Sequence, residues 1–219
     1  MLENLKQIVI DVAQKAQSIG LCAHKAGNFS IRDKETGYVL ITPSAIDREK
    51  LTIKDICVVD LDANLIEVGS DVRPTSEILM HLEAYKTRPD LNAIAHTHSK
   101  YATMFAVLNK EIKPIIYEVA SYGGKVPVAP YGRPGTPELA YNVAKTLKEV
   151  DVCLMEKHGV FCADANDLNE ALLKAIYIEE VAHIYYGSIM LNGGKEPDYI
   201  PQEELDSWQY PNQVKLQTI

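Results

Sequence analysis

The sequence predicts a single α/β domain spanning residues 1–219, with a central, mostly antiparallel sheet covered by helix layers on both sides. Three observations carry that expectation. The chain has 219 residues and 47% apolar content, which suits one domain with a substantial core. Short apolar runs recur along it, and several are joined by turns too short for a crossover, which favours antiparallel neighbours. Longer segments with apolar residues three and four apart fall between them, the stripe by which a helix packs on a sheet. No repeat and no low-complexity segment interrupts the pattern.

Taken in order, residues 2–19 form the first helix, with Leu5, Ile8, Val9, Val12, Ala13 and Ala16 on one stripe and Gly20 as the stop. Strands are predicted at 29–32, 38–41, 56–60, 65–67, 93–96, 126–129, 152–156 and 159–163, each a short run bounded by turn residues. Helices are predicted at 76–86, 100–107, 137–148 and 168–191. The second helix has a clear start signal. Ser76 reads as its N-cap, followed by Ile78, Leu79, Leu82 and Tyr85, which would place Glu77 in the first turn beside unpaired amides.

The residues richest in chemistry are histidines. His96 and His98 lie two apart in Ala-Ile-Ala-His-Thr-His-Ser, at the end of a predicted strand, so both imidazoles face the same way. A third, His158, follows in Lys-His-Gly. Three imidazole nitrogens around a divalent ion with one open position is the arrangement of catalytic zinc sites. Taken alone, His-X-His at a strand end is also what composition produces, and a capped helix start with an early Glu is ordinary capping chemistry.

Two loops add to the set. Gly27-Asn28 is a turn signal between a helix and a strand, and both residues tolerate the left-handed backbone that turns amides toward an anion. In Thr42-Pro43-Ser44-Ala45 the proline fixes one dihedral and leaves Ser44 free to donate outward. The amides of the predicted second helix, with the hydroxyls of Thr75 and Ser76, offer a further anion site.

In this order the segments Gly-Asn-Phe-Ser-Ile-Arg, Ile-Thr-Pro-Ser-Ala, Arg-Pro-Thr-Ser-Glu, His-Thr-His-Ser, Ala-Pro-Tyr with Gly135-Thr136, and Lys-His-Gly resemble the zinc-dependent class II sugar-phosphate aldolases and epimerases, the L-fuculose-1-phosphate aldolase-like family. The match spans residues 24 to 163. The resemblance implies one Zn2+ per subunit on His96, His98 and His158, with Glu77 as a fourth ligand or as the acid-base group. It implies a phosphate site from Gly27, Asn28, Ser44, Ala45, Thr75 and Ser76, and a tyrosine, Tyr117, that handles the proton on the departing aldehyde oxygen. Tyr117 reads equally well as a packed aromatic in a half-buried strand. Two positions depart from the family's pattern: Ala45 stands where glycine is common, and Lys25-Ala26 where a small hydroxyl or glycine is common. Lys25 reaches phosphate or is simply solvated.

The implied activity is reversible retro-aldol cleavage of a ketose 1-phosphate such as L-fuculose-1-phosphate to dihydroxyacetone phosphate and an aldehyde. Zinc would lower the cost of the charge left when the carbon-carbon bond breaks. The alternatives on the same site are L-ribulose-5-phosphate 4-epimerase and a sugar-phosphate dehydratase or decarboxylase; the epimerases tend to carry Asp at the position of Glu77. Outside enzymes, the three histidines would staple a structural metal protein. The family further implies a homotetramer with active sites between neighbours, in which a tail of about residues 194–219 closes a neighbour's site through Trp208 or Tyr210.

Composition bounds the partners. A net charge of −8 argues against a nucleic-acid surface; the small-molecule sugar phosphate is the partner the resemblance implies. With no run of about eighteen apolar residues and no signal-like start, a membrane or export is not expected and the cytoplasm is. The four cysteines, Cys22, Cys57, Cys153 and Cys162, lack metal spacing and read as reduced core residues. His81 lies four residues after Glu77 on the same helix face and would support it from behind. His24 and His183 have no evident partner, and Lys157 and Arg133 are read as solvated unless they meet a substrate anion.

Overall fold

A computed structural model describes residues 2–69 and 71–207. Its helices are α1 (Glu3–Ser18), α2 (Ile78–Thr87), α3 (Lys100–Val107), α4 (Pro137–Thr146), α5 (Leu168–Leu191) and α6 (Gln202–Ser207). Its strands are β1 (Asn28–Arg32), β2 (Val39–Ile41), β3 (Cys57–Val59), β4 (Leu65–Glu67), β5 (Ala93–Thr97), β6 (Val128–Ala129), β7 (Val152–Met155) and β8 (Gly159–Asp164). The strands form one eight-stranded sheet in the order β4-β3-β2-β1-β5-β8-β7-β6. Every pair is antiparallel except β6 with β7, so the expected α/β fold with a mostly antiparallel sheet is what the chain forms.

Period-two alternation divides the core into two. Phe29, Ile31, Leu40, Val58, Ala93, Ala95, Val160 and Cys162 pack with α1, α3 and α5 on one face. Val39, Ile41, Cys57, Val59, Ile94, Met155, Phe161 and Ala163 pack with α2 and α4 on the other. The inner strands thus bury both faces, which is why helix layers must cover both, while the edge strand β4 is exposed. His96 follows Ile94 by two positions and faces the α2 and α4 side.

Elements differ from expectation mainly at their ends. β1 starts one residue early, at Asn28, because Asn28 pairs with His96 across the ladder. The predicted 126–129 strand contracts to β6, and Val126 makes an isolated bridge to Ile112 instead. Tyr117 does not lie in a strand: Tyr117–Tyr122 is a 3-10 helix closed by Gly123 at φ 92°. The tail reading gave no helix, yet Gln202–Ser207 forms α6; Trp208 and Tyr210 lie outside the described residues. All four cysteines are buried and free. Among the described residues no helix is long and apolar enough to cross a membrane.

Candidate active site

The centre of the sheet, where β1, β5 and β8 adjoin, carries the chemistry. His96 sits in β5 and His98 one residue beyond it, and the strand's alternation brings their rings to 4.8 Å between centroids, with the two Nε2 atoms 3.1 Å apart. His158 enters from the tight turn between β7 and β8. Lys157 takes a left-handed φ of 58° there, and the His158 amide donates to the Met155 carbonyl at 3.0 Å. Its ring lies 4.8 Å from that of His96 and 5.0 Å from that of His98. The next residue has to be glycine: a Cβ on Gly159 would stand 2.4 Å from the Thr97 carbonyl oxygen and 3.2 Å from the His96 ring. Lys-His-Gly is therefore a steric unit, with the glycine letting the hairpin close onto β5.

Glu77 comes from the other layer. The helix begins at Ile78, and Glu77, not Ser76, is the N-cap residue, with φ −100° and ψ 17°. The cause is the neighbouring loop. The Ser76 amide donates to Ser44 Oγ at 3.1 Å and the Thr75 amide to the Thr42 carbonyl at 3.1 Å, which holds residues 75–76 against the loop after β2 and delays the first helical turn. Glu77 consequently points inward. Its Oε2 lies 3.4 Å from His96 Nε2 and its Oε1 3.2 Å from His158 Nε2.

These four side chains place one ligand atom each within 4.8 Å of one another. His96 Nδ1 faces the Val160 carbonyl at 2.8 Å, so that nitrogen carries the proton and Nε2 presents its lone pair to the cluster. Burial, with the neighbouring His96, holds His98 down at about 3 and His158 at about 4, so both are neutral at pH 7. Burial pushes the Glu77 carboxyl up, but the His96 ring beside it, then His158 and the Asn28 amide, hold it well below the usual carboxylate range. Glu77 Oε1 is buried with no hydrogen-bond partner. Lone pairs converging on one point, with an orphaned carboxylate oxygen among them, fit a divalent cation.

Behind Glu77 runs a chain of buried polar groups. Asn28 Nδ2 donates to Glu77 Oε2 at 2.9 Å, and Asn28 Oδ1 accepts from His81 Nε2 at 2.5 Å. His81 Nδ1 then accepts from Ser30 Oγ at 2.7 Å, and Ser30 meets the Tyr85 hydroxyl at 2.8 Å. Because the Asn28 amide must donate to the carboxylate, its oxygen must accept, which fixes His81 in the Nε2–H tautomer. His81, itself wholly buried, supports Glu77 through Asn28 rather than by direct i, i+4 contact. The sequence reading missed Ser30 and Tyr85. A signal existed, since Asn28 and Ser30 share a strand face, as His81 and Tyr85 share a helix face.

The residues assigned to phosphate cluster at the mouth formed by three loops. Gly27 has φ 78°, and a Cβ there would lie 2.5 Å from the His96 carbonyl oxygen, so this position tolerates only glycine. The Asn28 side chain is committed to Glu77 and His81. The amides of Ser44, Thr75 and Ser76 are committed inside the protein, to Arg73 O, Thr42 O and Ser44 Oγ; Ser76 is exposed, whereas Thr75 is buried with its hydroxyl accepting from the Glu77 amide. Ala45 has φ 64°, the left-handed backbone that explains glycine's frequency there. Lys25 Nζ donates to the Ala45 carbonyl at 2.5 Å and joins two of the loops. Arg48, overlooked in the sequence, is buried beneath them.

Tyr117 stands apart from the cluster. Its hydroxyl donates to Glu204 in α6 at 2.6 Å, which raises its pKa, and it lines a surface cavity with Glu118, Ala120, Ser121 and Tyr177. His183 stacks on Tyr101 with centroids 3.9 Å apart, and Lys157 pairs with Glu156 at 2.8 Å.

Comparison with known proteins agrees with this geometry. The model of the class II aldolase and adducin N-terminal domain matches residues 7–186. A 5-deoxy-D-ribulose 1-phosphate aldolase of Bacillus thuringiensis is 33% identical over 207 residues, 94% of each chain. An L-fuculose phosphate aldolase of Escherichia coli O6:H1 is 37% identical over 188 residues, 85% of each chain. A solved L-fuculose 1-phosphate aldolase superposes with a TM-score of 0.86 at 36% identity, covering 93% of both chains. By its fold, its matched segments and these relatives, the chain belongs to the class II aldolase family and is an aldolase-type lyase.

Proposed function

We propose that the protein cleaves a ketose 1-phosphate to dihydroxyacetone phosphate and an aldehyde by reversible retro-aldol chemistry, with one zinc per subunit held by His96, His98, His158 and, in the resting state, Glu77. The observation that carries the reading is the convergence of four ligand atoms within 4.8 Å around a buried, unpartnered carboxylate oxygen. A divalent ion at that point supplies Lewis-acid stabilisation of the negative charge that builds as the carbon-carbon bond breaks.

The protein's own groups do the rest. Glu77 moves the proton to and from the substrate carbon through Oε1, while Oε2 stays anchored by Asn28. Gly27, Ser44, Ala45, Thr75 and Ser76 seat the substrate phosphate through hydroxyls and the close backbone approach that Gly27 permits, and Asn28 contributes by fixing the loop to Glu77. Tyr117 handles the proton on the aldehyde oxygen. Its place on a separate surface, bonded to α6, supports a homotetramer in which Tyr117 and the C-terminal tail act on a neighbouring subunit's site. We propose a cytoplasmic protein, in keeping with its bacterial aldolase relatives.

Glu77 and the names of the relatives favour the aldolase over the epimerase. Two substrates follow from those relatives, L-fuculose 1-phosphate and 5-deoxyribulose 1-phosphate, and both yield dihydroxyacetone phosphate. The deciding assay offers each to zinc-loaded protein and measures that product. Release from either supports the proposal and ranks the aldehydes. No release from both, alongside epimerisation of L-ribulose 5-phosphate, overturns it.

A further inference from the structure

A buried cation lies under the loops assigned to phosphate. Arg48 is only 4% exposed. Its Nη1 donates to the His24 carbonyl at 3.2 Å, and its Nη2 to the Ala26 and Gly27 carbonyls at 2.5 and 2.6 Å. The Phe29 ring packs 5.4 Å from its guanidinium carbon, and Gln14 Nε2 holds its backbone carbonyl at 3.0 Å. Among the described residues no carboxylate pairs with it. Burying an uncompensated charge is costly, and three neutral carbonyls satisfy its donors while leaving its charge in place. Those carbonyls belong to the loop that carries Lys25, where His24 has a left-handed φ of 54°. Arg48 thus sets the peptide planes from which Lys25 departs.

Lys25 crosses the mouth to the Ala45 carbonyl, and its ammonium keeps two further donors. With the amides of Ser44, Thr75 and Ser76 turned inward, these loops meet an arriving anion with the Ser44 and Ser76 hydroxyls and this ammonium. We infer that Lys25 contacts the substrate phosphate in this protein and that Arg48 is its positioning residue, the two forming a cationic seat selective for a phosphate dianion. The inference rests on the reading of the site as a sugar-phosphate lyase.

The test uses the full, zinc-loaded chain and two readouts: steady-state kinetics on the ketose 1-phosphate, and calorimetric titration with inorganic phosphate. Lys25→Met raises KM and weakens phosphate binding by about tenfold to a hundredfold, the range of one charge-assisted hydrogen bond, with the loss falling on KM rather than kcat. Lys25→Arg restores most of the binding. Arg48→Met shows the same split, and Arg48→Lys fails to rescue it because one ammonium cannot span three carbonyls. Added salt weakens phosphate binding more in the original protein than in Lys25→Met. A Lys25→Met protein with unchanged zinc content, KM and phosphate affinity overturns the inference, whether or not the Arg48 variants fold. If no ketose phosphate is cleaved yet phosphate binding still depends on Lys25, the lyase reading falls and the cationic seat stands.

Discussion

Asn28 and Glu77 are joined by a hydrogen bond of 2.9 Å between the side-chain amide of the residue that opens β1 and the carboxylate of the residue at the N-cap position of α2. The bond crosses from one side of the site to the other, and His81, Ser30 and Tyr85 hold its far end. A carboxylate that moves protons needs one oxygen anchored and one free, and this bond supplies the anchor.

Replacing Asn28 by alanine removes the anchor and strands the His81 donor. The expected loss is about tenfold to a hundredfold in kcat, the usual cost of deleting a partner that orients a metal ligand, with zinc content nearly unchanged. Kinetics paired with metal analysis checks it. An unaltered kcat would show that Glu77 needs no orientation.

Glu77→Gln separates catalysis from stapling. The amide keeps the size and the histidines keep the metal, but the proton carrier is gone, so turnover drops by about a hundredfold or more. A structural metal protein would instead show Glu77 serving only to retain zinc.

Ala45 occupies left-handed backbone at φ 64°, which costs a residue with a Cβ about 1–2 kcal/mol. Glycine relieves that and gives some back through the unfolded chain, so Ala45→Gly stabilises by about 0.5–1 kcal/mol. Urea unfolding midpoints measure it.

Gly159→Ala has the opposite sign. The new Cβ meets the Thr97 backbone at 2.4 Å, which forces the hairpin away from β5 and carries His158 with it. Zinc affinity and activity both fall, while a substitution at the open Gly187 position on α5, where a Cβ meets nothing, leaves zinc affinity in place.

The metal-free protein is sensitive to acid. His98 and His81 are held at about 3 and His158 at about 4, chiefly by burial, against 6.5 for each when unfolded. Between those values the unfolded chain binds more protons, so stability falls as pH drops from about 6.5 toward 3. Urea midpoints at several pH values, taken on chelated protein, should show that slope, and Glu77, held low in the fold, adds to it below 4.5.

Much of this was legible in the chain itself. Two-residue spacing placed His96 and His98 on one face, and the apolar stripes of α3 and α5 gave both helices their observed bounds. What was not legible depends on contacts between distant segments. The start of α2 moved because Ser44 captures the Ser76 amide, thirty-two positions away. Tyr117, for which a half-buried strand was the alternative to a role in the site, lies in a 3-10 turn and bonds to Glu204, eighty-seven positions on. Arg48 carries no local signal, since in sequence it is one charge among the residues Asp47 to Lys50, and only the fold turns it beneath Gly27.

The most direct measurement is a zinc titration of chelated protein followed by release of dihydroxyacetone phosphate. The account predicts no release without metal, then a rise proportional to added zinc that saturates at one equivalent per chain. Release at the full rate from chelated protein, or none from protein holding one zinc per chain, would contradict it.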